Sequence, residues 1–225
     1  MDGDYDVTHP WDEVAALLIG SLEGTEIGGA TDGRDGQLLW SLSTKRAFQF
    51  QTLNSEGYAK TNSKLSDALY AGRGEIDALD CDRLDDTADR IQSLSYVSLL
   101  QSIVRYAILN EAIQADSTKA DLAYGETYAL AIIPLIEEIN PEAASILKDN
   151  MIQNDNVQPV RDGAQVVADA VGSAAVSLGL HCHDLGSTSQ ANPCRNYGSS
   201  AESHGSLFLF SIAAAMTTIF IQSLM

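Results

Sequence analysis

The segment HPWDE places His9 and Glu13 four residues apart. On a helix that spacing brings an imidazole and a carboxylate to one face, a pairing able to hold a hard or borderline cation. A second oxygen-rich group, Tyr124, Glu126 and Tyr128, lies far downstream, and its two tyrosines again share a helical face. Simpler roles compete with both. A carboxylate near a helix start is favoured by the positive end of the helix dipole, and His9 can flank the cap. Core tyrosines with bonded hydroxyls need no metal.

Cations are scarce, with 13 Lys and Arg against 31 Asp and Glu, so the few set among apolar neighbours matter. Lys45 and Arg46 lie within LLWSLSTKRAFQF and Arg105 within SIVRYAIL. A guanidinium in apolar surroundings needs an anion to offset desolvation. Either an internal salt bridge to Glu13 or Glu126 supplies it, or a bound anion beside a metal does.

Common catalytic machinery is not apparent: the chain has no G-x-S-x-G elbow, P-loop, dinucleotide glycine fingerprint or H-E-x-x-H. A binding role is expected in place of an enzyme. The net charge of −18 repels nucleic-acid phosphates, so no nucleic-acid partner is expected.

The elements that must position these groups read as helices. PWDEVAALLIGSLEG puts Trp11, Val14, Ala15, Leu18 and Leu22 on one stripe with Pro10 in the first turn. A Gly- and Asp-rich loop follows at 24–36, then helices over about 37–53 and 55–71, the latter stopping at Gly72 and Gly74. A long helical region from Asp80 or Asp82 to about Ala115 follows, with a possible break near Ser95. Further helices are expected over about 118–139 with a kink at Pro134, from Pro141 onward, and through 160–180. No two stretches alternate cleanly enough to pair as strands. The expected fold class is all-α, an antiparallel multi-helix bundle with a Cys-bridged loop and a C-terminal hydrophobic tail. A faint echo between EVAALLIGSLEG and ETYALAIIPLIEE would make Glu13 and Glu126 equivalent, on neighbouring helices beside Arg46 or Arg105.

Cys182 and Cys194 bracket a segment rich in Gly, Ser, Asn and Pro, which suits a disulfide staple in an oxidising compartment. A zinc site of His181, Cys182, His183 and Cys194 is the alternative, although it lacks C-x-x-C spacing. Cys81 is left over. Residues 207–225, LFLFSIAAAMTTIFIQSLM, are uncharged and about as long as a bilayer-spanning helix. Gly198, Ser199 and Ser200 precede them in the layout of a glycosylphosphatidylinositol signal; a spanning helix is the alternative. Such a signal requires the secretory pathway, yet residues 1–20 hold no signal peptide, so one is expected upstream of Met1. Three regions follow: a helical domain over 1–180, a stapled polar linker over 181–206 and an anchor signal over 207–225.

The ordered segments WDEVAALLIGSLEG, DGQLLWSLSTKRAFQFQT, NSKLSDALYAGRGEI, LDCDRL, LLQSIVRYAILN and AYGETYALAIIPLIEEINPEAASIL resemble the low-iron-inducible periplasmic proteins of algae. Those include algal iron-assimilating proteins and look related to phytotransferrins, which bind ferric iron with carbonate. The resemblance spans about residues 8–155. It implies a membrane-anchored protein on the extracellular face of the plasma membrane or in the periplasmic space. There it would capture ferric iron with a synergistic carbonate and hand it to a surface reductase or uptake receptor. Ferric iron is hard and prefers carboxylate and phenolate oxygens. Candidate metal ligands are thus Glu13, Glu126, Tyr128, His9 and Tyr124, and candidate anion partners Arg46, Arg105 and Lys45. A structural or adhesive surface protein that has kept the helices without the metal is the alternative.

Overall fold

The computed structural model describes residues 8–20, 38–112, 119–153 and 159–197. Among these lie eight helices: α1 (Thr8–Ile19), α2 (Leu39–Phe50), α3 (Lys60–Asp77), α4 (Cys81–Ala112), α5 (Lys119–Ile139), α6 (Pro141–Met151), α7 (Ala164–Ser177) and the short α8 (Cys182–Leu185). The one extended pairing among the described residues is an isolated bridge between Leu53 and Ala59. The expected all-α class therefore holds.

The long helix α4 is the hub, packing against α2, α3, α5, α7 and α8. Its buried Val97, Leu100, Ile103, Val104, Ala107 and Ile108 form one core with Ile132, Ile133 and Ile136 of α5, Leu147 of α6 and Val167 and Val171 of α7. Alanines and a glycine on α7 let its backbone come close: a Cβ at Gly172 would lie 1.9 Å from the Pro193 carbonyl oxygen. A smaller cluster, Leu65, Ala68, Leu69, Ile91 and Leu94, joins α3 to the first half of α4, and Trp11, Ala15, Leu18 and Ile19 of α1 pack onto it.

Several boundaries differ from expectation, each for a local reason. Helix α3 does not stop at Gly72 and Gly74 but runs on to Asp77. Gly72 is there to make room for the Trp11 indole, whose ring would lie 2.1 Å from a Cβ, while the indole N–H donates to the Leu69 carbonyl at 3.0 Å. Nor does α4 break at Ser95, whose hydroxyl donates back to the Ile91 carbonyl at 2.8 Å. Val14, placed on the inward stripe of α1, is exposed. Pro134 sits inside α5 on its exposed side, where the helix continues through it. At the α5–α6 junction Pro141 sits in the first turn as expected, and the Asn140 side chain caps it by accepting from Ala143 N–H at 3.1 Å.

Candidate functional site

Arg46 is the one charged side chain fully buried among the described residues, at 6 % exposure. On the inward face of α2 it lies between Ser43 and Phe50, both buried. Its Nε donates to Ser102 Oγ of α4 at 2.8 Å, and Nη1 donates to Gln49 Oε1 at 2.7 Å. The guanidinium carbon lies 5.4 Å from the Tyr106 ring centre and 5.9 Å from that of Tyr128, within cation–π range. The Tyr106 ring in turn lies 5.6 Å from Tyr124 and 5.7 Å from Tyr128. Among the described residues no carboxylate forms an ion pair with Arg46, so the internal salt bridge to Glu13 or Glu126 is not what holds it.

Two phenols, Tyr106 of α4 and Tyr128 of α5, therefore lie against a buried cation from α2, and the exposed Tyr124 ring packs on Tyr106. Burial pushes the Tyr106 phenol above its ordinary value of 10.0; the charge of Arg46 and a hydrogen bond from it act in the opposite direction, while Tyr128 and Asp121 add to the rise. Asp121 is thus near enough to be felt electrostatically. Asn110 Oδ1 is buried without a partner, and its amide nitrogen, Met151 Cε and Tyr106 Cβ would each lie 3.1 Å from a Cβ at Gly125. That crowding explains a glycine between Tyr124 and Glu126.

The structure separates the other candidates. Glu13 is exposed and pairs with His9 at 3.1 Å, so those two do share a face as their spacing predicts. However, α1 packs on α2 and α3, whereas α5 packs on α4, α6 and α7. The α1 cluster meets α4 at Ile91 and Leu94, and the tyrosines meet it at Tyr106, about 20 Å further along the helix axis. The expected neighbourhood of Glu13 and Glu126 is therefore corrected: Glu126 accepts a hydrogen bond from Gln153 N–H at 3.2 Å and belongs to the tyrosine end alone. Arg105 is partly exposed, one residue and so about 100° around α4 from Tyr106. Lys45 is exposed and, with Thr44, Phe48, Gln49, Leu53 and Gly57, lines a groove on the outer side of α2. Among the described residues no three His, Cys, Asp or Glu side chains gather in a metal-sized group.

Tyr106, Asp121, Gln49 and Ser102 were absent from the sequence candidates. A usable signal existed: Ser98, Ser102, Tyr106 and Asn110 recur every four residues along α4 between buried apolar residues. Such a polar strip on a buried helix needs a polar partner.

Cys182 and Cys194 are bonded, with Cα atoms 5.5 Å apart. Both sulfurs are thus engaged and unavailable to the zinc alternative. The bond closes a strap over the end of α2: Ser187 N–H donates to the Phe50 carbonyl at 3.1 Å, and Gln101 Nε2 of α4 donates to the Leu185 carbonyl at 2.9 Å. Lys64 pairs with Asp184 at its edge. Cys81 is a free, exposed thiol. Gly198, Ser199, Ser200 and residues 207–225 lie outside the described residues, among which no helix is long and apolar enough to cross a membrane. Comparison with protein families, with curated proteins and with solved structures finds no match for the chain.

Proposed function

We propose that this chain is an extracytoplasmic, membrane-attached protein that captures ferric iron together with carbonate and turns over no substrate. The observation that carries the reading is Arg46, a fully buried guanidinium with neutral hydrogen-bond partners that lies against the rings of Tyr106 and Tyr128. A buried cation is costly without an anion. Ferric iron suits phenolate and carboxylate oxygens, and carbonate suits the planar donors of a guanidinium. Tyr106, Tyr124 and Tyr128 would hold the metal with Asp121 or Glu126, and Arg46 would hold the anion. When bound, the pair would supply the negative and positive charge that the isolated cluster leaves unbalanced. The Cys182–Cys194 bond suits an oxidising compartment, and the uncharged residues 207–225 suit an anchor.

A structural or adhesive surface protein is the second reading, favoured by the distance between Glu13 and Glu126. Equilibrium dialysis against a ferric chelate, with and without bicarbonate, separates the two. Iron retained by the wild type only with bicarbonate, and lost in Tyr106→Phe/Tyr128→Phe, supports capture. Retention of no iron under either condition supports the second reading.

A further inference from the structure

Helix α5 is apolar on two sides. Its inward Ala129, Ile132, Ile133 and Ile136 belong to the core. At about 100° per residue, Ala123, Thr127, Leu130, Ala131 and Pro134 line up on the outward side, and each is exposed, Leu130 at 54 %. From Thr127 to Ile136 the helix holds no charge, and Glu126 turns aside to accept from Gln153 N–H. A helix that is apolar all round is normally covered on every side. A cation, Lys119, bounds the strip at its start, and carboxylates bound it at its end. Glu137 is paired with Lys148 of α6, whereas Lys119 and Glu138 have no ion pair among the described residues.

We infer that this strip packs against the same strip of a second copy of the chain, the two α5 helices running antiparallel about a two-fold axis at the level of Tyr128 and Ala129. The inference rests on α5 alone and not on iron. A chain of net charge −18 repels its own copies over most of its surface, and an uncharged strip is where two can meet without opposing carboxylates. In a two-fold pairing, contact of one residue with a second implies the reciprocal contact. One antiparallel register sets Leu130 opposite the partner's Thr127, Pro134 opposite the partner's Ala123 and Glu138 opposite the partner's Lys119. Each bulky side chain thus meets a smaller one, which lets the helix axes approach to about 8–10 Å. Each copy's Glu138 carboxylate meets the other's ammonium, so the charged ends match twice over. A parallel pairing would set lysine against lysine and glutamate against glutamate, which is repulsive. The strip is about 28 Å long from Lys119 to Glu138 and one helix wide, small for a specific interface, so the dimer is weak and reversible.

Lys119 and Glu138 of one copy lie too far apart along the helix to be joined directly, so an amide formed between them by a zero-length carbodiimide reports contact between copies. The full chain at submillimolar concentration in a mild non-ionic detergent is treated with carbodiimide and digested, and the Lys119–Glu138 link is quantified by mass spectrometry. The link is expected in the wild type, in a yield that rises with concentration. Leu130→Lys buries an unpaired ammonium at the centre of the contact and should lower the yield by about tenfold or more. Sedimentation equilibrium reads the charged ends: Lys119→Glu should weaken the dimer several-fold, and Lys119→Glu/Glu138→Lys should restore it. Helical circular dichroism checks that each variant is folded. Absence of the link in the wild type overturns the dimer and leaves the strip to a different partner. An unchanged yield in Leu130→Lys, the outcome if residues 207–225 alone drive association, overturns it as well, and failure of the double variant to recover overturns the antiparallel register.

Discussion

Replacing Arg46 with methionine distinguishes an arginine kept for a ligand from one kept for the fold. The substitution keeps an unbranched side chain of similar reach against Tyr106 and Tyr128. It deletes the bond to Ser102 Oγ at 2.8 Å, the bond to Gln49 Oε1 at 2.7 Å and the hydrogen bond to the Tyr106 phenol. Hydrogen bonds from a charged donor contribute about 1.5–3 kcal/mol each. Gln49 and the Tyr106 phenol are part-exposed and regain water, and Ser102 Oγ still donates to the Ser98 carbonyl at 2.6 Å, so the effective loss is close to one bond. A desolvated cation–π contact adds about 2 kcal/mol, of which a sulfur–aromatic contact returns about 0.3–1.5 kcal/mol. Against these losses stands relief from burying a guanidinium, which costs several kcal/mol. The terms nearly cancel, so Arg46→Met should lie within about 2 kcal/mol of wild type. Urea unfolding followed by circular dichroism gives the difference from the midpoint at constant slope. A loss of 4 kcal/mol or more, about that of breaking a buried ion pair, would refute the reasoning and make Arg46 a structural residue.

The remaining expectations concern the frame around the site. Gly172→Ala forces a methyl against the Pro193 carbonyl, and should cost about 1–3 kcal/mol in urea unfolding, the range for overpacking; an unchanged midpoint would mean that the strap does not press on α7. Cys182→Ser/Cys194→Ser opens a loop with a sequence separation of 12 and should lower stability by about 3 kcal/mol, measured against wild type without reductant. Asp162 is held below its ordinary value of 3.8 by hydrogen bonds from Asn150 and Arg161, against some opposing desolvation. A depressed carboxylate contributes stability that is complete above 3.8 and lost as pH falls through the folded value. Asp162→Asn should therefore flatten part of the acid limb of the stability curve below about pH 4 and leave its slope at neutral pH unchanged.

What could be read from the chain follows the range of the forces involved. Helix periodicity, the Pro141 start of α6 and the staple between Cys182 and Cys194 are local patterns, and each appears where the residues place it. Arg46 stood out because a guanidinium in an apolar run demands an explanation. Its partner did not, because Ser102 lies 56 residues away and is one serine among many. Gly72 looked like a helix stop because its reason, the Trp11 ring, comes from another helix. Glu13 looked like a ligand because a surface carboxylate at a helix start has the same local sequence as a ligating one; only tertiary packing of α1 onto α3 separates it from Glu126. Tyr106 was passed over as part of an apolar stripe, although Ser98 and Ser102 on the same face marked that stripe as polar.

Absorbance of the protein titrated with a ferric chelate in bicarbonate-free and in bicarbonate buffer tests the central claim most directly, since phenolate bound to ferric iron gives a visible charge-transfer band. The account predicts a saturable band with bicarbonate, abolished in Tyr106→Phe/Tyr128→Phe and in Arg46→Met. A band of the same strength in Arg46→Met, or no band with bicarbonate present, would contradict it.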